Sequence, residues 1–363
     1  MARLTRARAQ ELNRAKVLAA AREEFAELGF RDAKIDGIAE RAGLTRGAVY
    51  SNFPGKRALY FAVLADLAES APRPPAPAGP GATAGEALAA FARAWIARLP
   101  LTTERDGAER LAMDLMPEVL ADERTRQAFA QLMKLNALLL GLALEGAAGS
   151  RRGARRVRTA EAVLTTLHGV DQMAAAAPGF TDPFDVVAVC ERLAGLDLGG
   201  GWPLPHLSHV SPARAVDGPD WTPPPATDAV SGEPLEPAPE GVVAVLGLHR
   251  LEAAEEAVRA APPGAAVTAV LVTGDPAELA PLARLAVAGL CGCLREAFAP
   301  AARPRLRVVH DETGAVAAAA GVPAVGDATE TAVRIEGGRV VARADGRGAA
   351  HAAASFDPSR ASG

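Results

Sequence analysis

The chain has 363 residues, 49% of them hydrophobic, three cysteines and a formal net charge of −4; at roughly 150 residues per domain this suggests two or three domains. No run reaches the roughly 18 unbroken apolar residues of a bilayer-spanning helix. The charged start Met1 to Arg8 lacks the apolar segment of a secretory signal, and Cys190, Cys291 and Cys293 are too few for a disulfide framework, so a soluble, cytoplasmic protein without a membrane partner is expected.

Residues 1–60 carry 12 Lys and Arg against 7 Asp and Glu, a local +5 that leaves −9 for the remainder; a basic head on an acidic body suits a reader of double-stranded DNA. Helical periodicity over 9–70, punctuated at Gly29, Gly43 and Pro54, divides this head into four helices, two of them short. The first, about Gln10 to Leu28, sets Val17, Leu18, Ala21, Phe25 and Leu28 on one face and is expected to stop at Gly29 in a left-handed cap. Ile35, Ile38, Ala39 and Ala42 mark a short helix ending at Gly43, and Leu44-Thr45 lead into a second, Arg46 to Asn52. Two short helices around a tight glycine turn are the signature of a helix-turn-helix, here over residues 34–53.

The second short helix has the chemistry to lie in a major groove. Thr45 can cap it, aiming its free N–H groups and its dipole at a phosphate. Gly47 and Ala48 let the backbone approach closely, and the fork of Arg46 suits guanine or phosphate. Tyr50, Ser51 and Asn52 add donors for the sugar-phosphate edge, Lys56 follows Pro54-Gly55 at the start of another helix where a phosphate is expected, and Val49 and Phe53 belong to the core.

These residues resemble the TetR family, whose pattern runs Gly-Phe, a short helix ending Ile-Ala-x-x-Ala-Gly, then Thr-x-Gly-x-x-Tyr-x-x-Phe and a Lys. Here they are Gly29-Phe30, Ile38 to Gly43, Thr45 to Phe53, and Lys56. Lys34 departs from the pattern, standing where a capping Thr or Ser is usual; the lost cap costs about 1 kcal/mol, and the lysine is expected at a phosphate instead. The resemblance implies an all-α regulator: a DNA-binding head at 9–70, and a helical body at 84–198 that binds an unidentified small-molecule effector and dimerises through its last two helices. It implies a homodimeric repressor, not an enzyme, with no cofactor and no metal.

Pro72 to Pro80 interrupts the helices, and helical segments return at 84–99, 105–121, 123–147, 154–177 and 182–198. The expected dimer seam comprises Leu164, Leu167, Val170 and Met173 with Val186, Val189, Leu193 and Leu196; a two-fold dimer also doubles the site that one short helix can read. Trp95, Leu99, Met113, Met116, Leu132 and Met133 are the flexible or aromatic candidates for an effector pocket. His168 reads as a satisfied core or interface histidine, and Cys190 as a small buried hydrophobe.

Residues 199–240, rich in Pro, Gly and Ser, read as a linker. Beyond it, β-runs at 242–248, 267–273, 306–310, 332–335 and 340–344 alternate with helical stretches at 250–261, 276–299 and 313–320, with a hairpin at Gly337-Gly338, describing an α/β domain over 241–356. The run from Val308 to Gly314, with Ala320-Gly321-Val322 and the hairpin, resembles the C-terminal half of a thioredoxin-like or peroxiredoxin-like domain. The position where such enzymes carry a reactive cysteine holds Gly247 to Glu252 with no cysteine, and Thr329 stands where their proline would be. Cys291-Gly-Cys293 lies elsewhere, on a helical segment, where residues two apart point about 200° from one another. A redox-responsive regulator or redox enzyme acting through this domain is the alternative function. Because head and seam both precede Gly199, residues 200–363 are expected to be dispensable for DNA binding.

Overall fold

The structure, a computed structural model, describes residues 6–72, 83–99, 111–147, 155–198 and 210–357. Helix α1 (Arg6–Asp32) buries Val17, Ala21 and Phe25 at the three- and four-residue spacing of an amphipathic helix. Gly29 interrupts it at the expected place, though its ψ is not that of a left-handed cap. With φ 76° and ψ 170°, a conformation that suits glycine, it kinks the helix, and the amide of Phe30, just past the kink, donates to Asp114 Oδ2 at 2.8 Å. Helix α2 (Ile35–Ala42) ends at Gly43 in the left-handed conformation, α3 (Arg46–Tyr50) follows, and α4 (Lys56–Ser70) is buried continuously from Ala58 to Ala65.

The helical body comprises α5 (Ala84–Ile96), entered through a capping box of Thr83 and Glu86, then α6 (Leu115–Leu120), α7 (Glu123–Gly146), α8 (Val157–Ala176) and α9 (Pro183–Leu193). Residues 105–110 of the expected second body helix lie outside the described residues. Helix α7 is long and apolar enough to cross a bilayer, but 61% of its most apolar window is buried inside the fold, so that surface packs in the core.

The C-terminal unit runs β1 (Arg214–Ala215), β2 (Gly241–Gly247), α10 (Ala253–Ala260), β3 (Ala266–Val272), α11 (Leu279–Ala297), β4 (Arg307–His310), α12 (Ala315–Ala319), β5 (Glu330–Glu336), β6 (Arg339–Asp345) and α13 (Ala349–Ala354). The strands form one mixed sheet in the order β1-β6-β5-β2-β3-β4. Strands β2, β3 and β4 are parallel, joined by helical crossovers, while β5 runs antiparallel to β2, and β6 to β5. Strand β2 is buried along its whole length, which is why it reads as an unbroken apolar run.

Two expectations from the sequence fail here. From residue 210 onward the stretch read as a linker, 199–240, belongs to the sheet, while 199–209 lie outside the described residues. Strand β1 pairs with β6, Trp221 packs in the sheet's outer core, and the Asp228 carboxylate, 5% exposed, accepts the amides of Val230 and Val308. A proline-rich segment without periodicity can cover a sheet as readily as span a gap, and only its tertiary contacts tell which.

The C-terminal unit is also not separate from the regulator body. Helix α11 packs against α4, α5 and α7 as well as beneath its own sheet. It buries Leu279, Leu282, Ala283, Val287, Leu290 and Leu294, while Arg284, Arg295 and Glu296 keep part of its surface polar. Gly146, at the end of α7, approaches the C-terminal unit so closely that a Cβ there would lie 2.8 Å from the Ala302 carbonyl oxygen. Ion pairs fasten the contact: Arg57 to Glu278 at 2.5 Å, Arg124 to Asp327 at 2.6 Å, Arg259 to Glu145 at 2.7 Å, and Arg284 to Glu69. Helix α4, which leads from the head into the body, is braced along its flank by residues 279–297, which removes the basis for treating residues 200–363 as dispensable.

Candidate nucleic-acid interface and ligand cavity

Helix α3 stands at the surface, held from below by buried Val49 and Phe53. Thr45 Oγ1 accepts the Ala48 amide at 3.2 Å, closing its first turn. Tyr50 is 41% exposed, and Arg46 lies beside it, its guanidinium 5.5 Å from the Tyr50 ring centre and 3.4 Å from Asp36. Tyr50, and then Asp36, raise the guanidinium pKa further, so it stays charged. An exposed ion pair that long contributes little, which leaves Arg46 ready for a stronger anion. A Cβ at Gly47 would meet nothing nearer than Thr45 Oγ1 at 3.9 Å. Nothing inside the fold requires glycine there.

The remaining head candidates divide. Ser51 Oγ and Asn52 Nδ2 each donate to the Ala48 carbonyl at 2.8 Å, so both close the end of α3 in this state. Ala48 is half-buried, and Lys34 is exposed at the start of α2 with no side-chain cap bond. Lys56 does not stand free for a phosphate. An ammonium has three donors, and they meet the carbonyl oxygens of Phe30, Arg31 and Ala33 at 2.6, 3.1 and 3.0 Å, with the Phe30 ring centre 4.5 Å away. Lys56 therefore closes the end of α1 beyond the Gly29 kink, and the phosphate contact expected of it gives way to that cap.

A cavity of about 260 Å³ lies where α5, α6, α7 and α8 meet α11. Trp95, Leu99, Met113, Met116 and Met133 line it, with Phe129, Asn136, His168 and Asp171. Leu132 does not: one step round α7 from Met133, it is fully buried in the core. The facing wall is α11, through Leu282, Leu285, Ala286, Gly289 and Leu290. The sequence carried a signal for this wall, since the apolar residues of α11 spread well beyond a single stripe. His168 also differs from expectation. Its Nδ1 lies 3.4 Å from Asp171 Oδ2, Asp171 Oδ1 accepts Trp95 Nε1 at 2.8 Å, and its Nε2 is buried with no partner among the described residues.

Of the expected dimer seam, Leu164, Leu167, Val170 and Val186 face the chain's own core, and Leu193 is half-buried. Met173, Val189 and Leu196 are exposed, joined by Phe180 and Phe184 at 74% and 84% exposure. Those two were missed because one lies in a turn and the other in the first turn of α9, outside the helical periodicity that picks seam residues.

All three thiols are buried, and burial pushes Cys190 and Cys293 up to about 11 and Cys291 to about 12. At neutral pH they supply little of the thiolate that disulfide exchange requires. The turn after β2 holds Arg250, paired with Glu330 at 2.7 Å, and docks on α7, where the Glu252 amide donates to Gln131 Oε1 at 2.9 Å.

Residues 17–63, spanning parts of α1 to α4, match the family model described as bacterial regulatory proteins, tetR family. Over these residues the head is similar to TetR-type helix-turn-helix domains. The chain is 51% identical over 65 residues, 18% of its length, to the HTH-type transcriptional regulator SrpR of Pseudomonas putida, and the match covers 30% of that protein. It is equally identical over 65 residues to an uncharacterized HTH-type transcriptional regulator, TtgW, also of Pseudomonas putida, 48% of which is covered. RutR of Escherichia coli is 37% identical over 62 residues, 29% of its length. The chain thus spans less than half of each of these relatives, all named as transcriptional regulators and none as an enzyme. Among solved structures, NalD, the secondary repressor of the MexAB-OprM multidrug efflux pump in Pseudomonas aeruginosa, aligns with 51% of this chain and 95% of its own at 22% identity and a TM-score of 0.33.

Proposed function

We propose that the chain is a transcriptional regulator that reads a near-palindromic DNA site as a homodimer and is released from it by a small molecule held in the cavity of the body. The observation that carries this reading is α3: a capped, exposed helix with Arg46 and Tyr50 outward and, at Gly47, a glycine that the fold itself does not need. One five-residue helix reaches few base pairs, so a second copy is needed to make a specific site. The exposed Met173, Phe180, Phe184 and Val189 supply an apolar patch for that copy to cover. A route from cavity to head supports release, because Met113 and Leu115 line the cavity while Asp114 between them holds the Phe30 amide at the kink of α1.

The C-terminal unit, in this proposal, is a thioredoxin-like fold without thiol chemistry. Its four central strands, β6-β5-β2-β3, with β2 and β3 parallel and the β5-β6 hairpin antiparallel, support that assignment, and the docked, cysteine-free turn after β2 argues against a redox role. The test is selection of duplexes from a random pool by the full-length protein, with sedimentation of the bound complex. A symmetric site carrying two chains is expected, and Phe184→Asp should leave a monomer that no longer selects it. Enrichment of no sequence, or selection by a single chain, would sink the reading.

A further inference from the structure

We propose that the cavity between the helical body and α11 binds a largely planar apolar molecule bearing hydrogen-bond donors, a hydroxyarene or aminoarene, and that the C-terminal unit forms half of this receptor. Its consequence for DNA release rests on the function proposed above; binding itself does not.

The aromatic faces of Trp95 and Phe129 line the body side and the aliphatic chains of Leu282, Leu285 and Leu290 the α11 side, a lining that suits a flat apolar ligand. Polar groups of both kinds line it, Arg98 and Gln172 included, and Asn136 adds an unmatched acceptor. Asn136, 3% exposed, donates Nδ2 to the Ala286 carbonyl at 3.2 Å. A carbonyl can only accept, which settles the orientation of the amide and leaves Oδ1 buried with no donor among the described residues. Nδ1 of His168 lies 3.4 Å from an Asp171 carboxylate oxygen, and its Nε2 is buried without a partner among the described residues. A buried, unmatched acceptor in a mostly apolar lining favours N–H or O–H groups over ethers or ketones of the same shape. Arg98 donates to the Gly289 carbonyl at 2.8 Å, and the Trp95 N–H donates to Asp171.

The α11 wall takes part in this recognition. The Asn136 that presents Oδ1 is anchored on the backbone of α11, and a Cβ at Gly289 would meet nothing within 4 Å, so the helix leaves room on its cavity side. The same helix carries Arg284, and Glu278 immediately precedes it; these pair with Glu69 and Arg57 of α4, so a ligand pressing on this wall presses on the brace of the head.

The experiment is calorimetric titration of the full-length protein, without DNA, with 2-naphthol and 2,7-dihydroxynaphthalene and their methyl ethers. At least one naphthol should bind tenfold or more tightly than its ether. Asn136→Leu should lower the naphthol-to-ether affinity ratio. Gly289→Leu, filling open space from within the C-terminal unit, should keep the melting temperature and block both ligand types. Equal affinity of naphthols and ethers, or no binding of either naphthol at millimolar concentration, would overturn the ligand class; a folded Gly289→Leu variant that binds as well as wild type would overturn the shared receptor. If Gly289→Leu lowers the melting temperature, the naphthol-to-ether ratio in the wild type decides alone. Naphthols that bind as expected but leave the DNA complex intact would spare the receptor and refute release by effector.

Discussion

Helices α3 and α11 sit at opposite ends of what a helix can do. The first has five residues, one buried side chain and a surface of polar groups loosely held by their neighbours; the second has 19 residues and is enclosed by its own sheet on one side and the regulator body on the other. A helix that must meet a partner in water keeps its functional groups outside, where residue type alone discloses them. A helix shared by two units buries most of its apolar groups, and its role is set by what happens to lie against it.

The largest effect expected from this contrast follows deletion of residues 210–363. If α11 is a true brace, the shortened chain exposes the apolar flanks of α4, α5 and α7, at about 1.5–3 kcal/mol for each large side chain left in water, against a whole-domain stability of about 5–15 kcal/mol. Loss of the cooperative thermal transition and aggregation in sedimentation are the expected outcomes. A monodisperse, folded truncation that still binds DNA would return the C-terminal unit to the status of an appendage.

A smaller effect separates the two cations of the head. Lys56→Met removes the donors that close α1 and should cost about 1.5–3 kcal/mol of stability, while leaving the salt dependence of DNA binding near its wild-type slope. Arg46→Ala should do the reverse, keeping the melting temperature and flattening the slope of log K against log salt by about one unit. Gly47→Ala sharpens the same point: with space for a Cβ it should stabilise the head by about 0.5–1 kcal/mol yet weaken DNA binding. If Lys56→Met flattens the salt slope as Arg46→Ala does, the lysine has a second life at a phosphate.

The smallest effect concerns the rim of the α11 contact. Burial pushes His310 at the end of β4 down to about 4, with Glu69 opposing this shift and Arg284 reinforcing it. Between the ordinary histidine value near 6.5 and about 4 the unfolded chain takes up a proton that the folded chain refuses, so this residue makes stability fall as pH drops through that window and adds nothing further below it. Melting temperatures measured from pH 7 to 4 should decline less steeply in His310→Leu than in the wild type. Parallel curves would mean that the ring is not excluded from water as the fold implies.

Much of the head was legible because its rules are local. Gly43 sits in a left-handed cap, Thr45 accepts from Ala48, and Val49 faces inward, each decided by residues within one turn. Lys56 escaped that logic, since its partners at 30, 31 and 33 come together only after the kink at Gly29 brings the end of α1 over α4. In the cavity, methionines and aromatics marked one wall, but Leu132 and Met133 are equally apolar and adjacent, and only the rotation of α7 tells which of them faces the opening. Phe180 and Phe184 were invisible to helical periodicity for a related reason, because exposure depends on what fails to cover a residue.

What the sequence determined by itself is therefore the set of elements and the chemistry of the reading helix. Caps, glycine turns, the apolar stripe of α1 and the strand-helix alternation after residue 240 all arise from short-range backbone and solvation preferences. Tertiary structure alone decided that residues 210–240 cover a sheet, that Lys56 is a cap and that α11 walls a cavity in another unit. Those outcomes depend on pairs such as Asn136 with Ala286 and Arg57 with Glu278, 150 and 221 positions apart in the chain. Burial of apolar surface has no direction along the chain and is satisfied by whatever surface fits, so the partner of a largely apolar helix cannot be read from that helix alone.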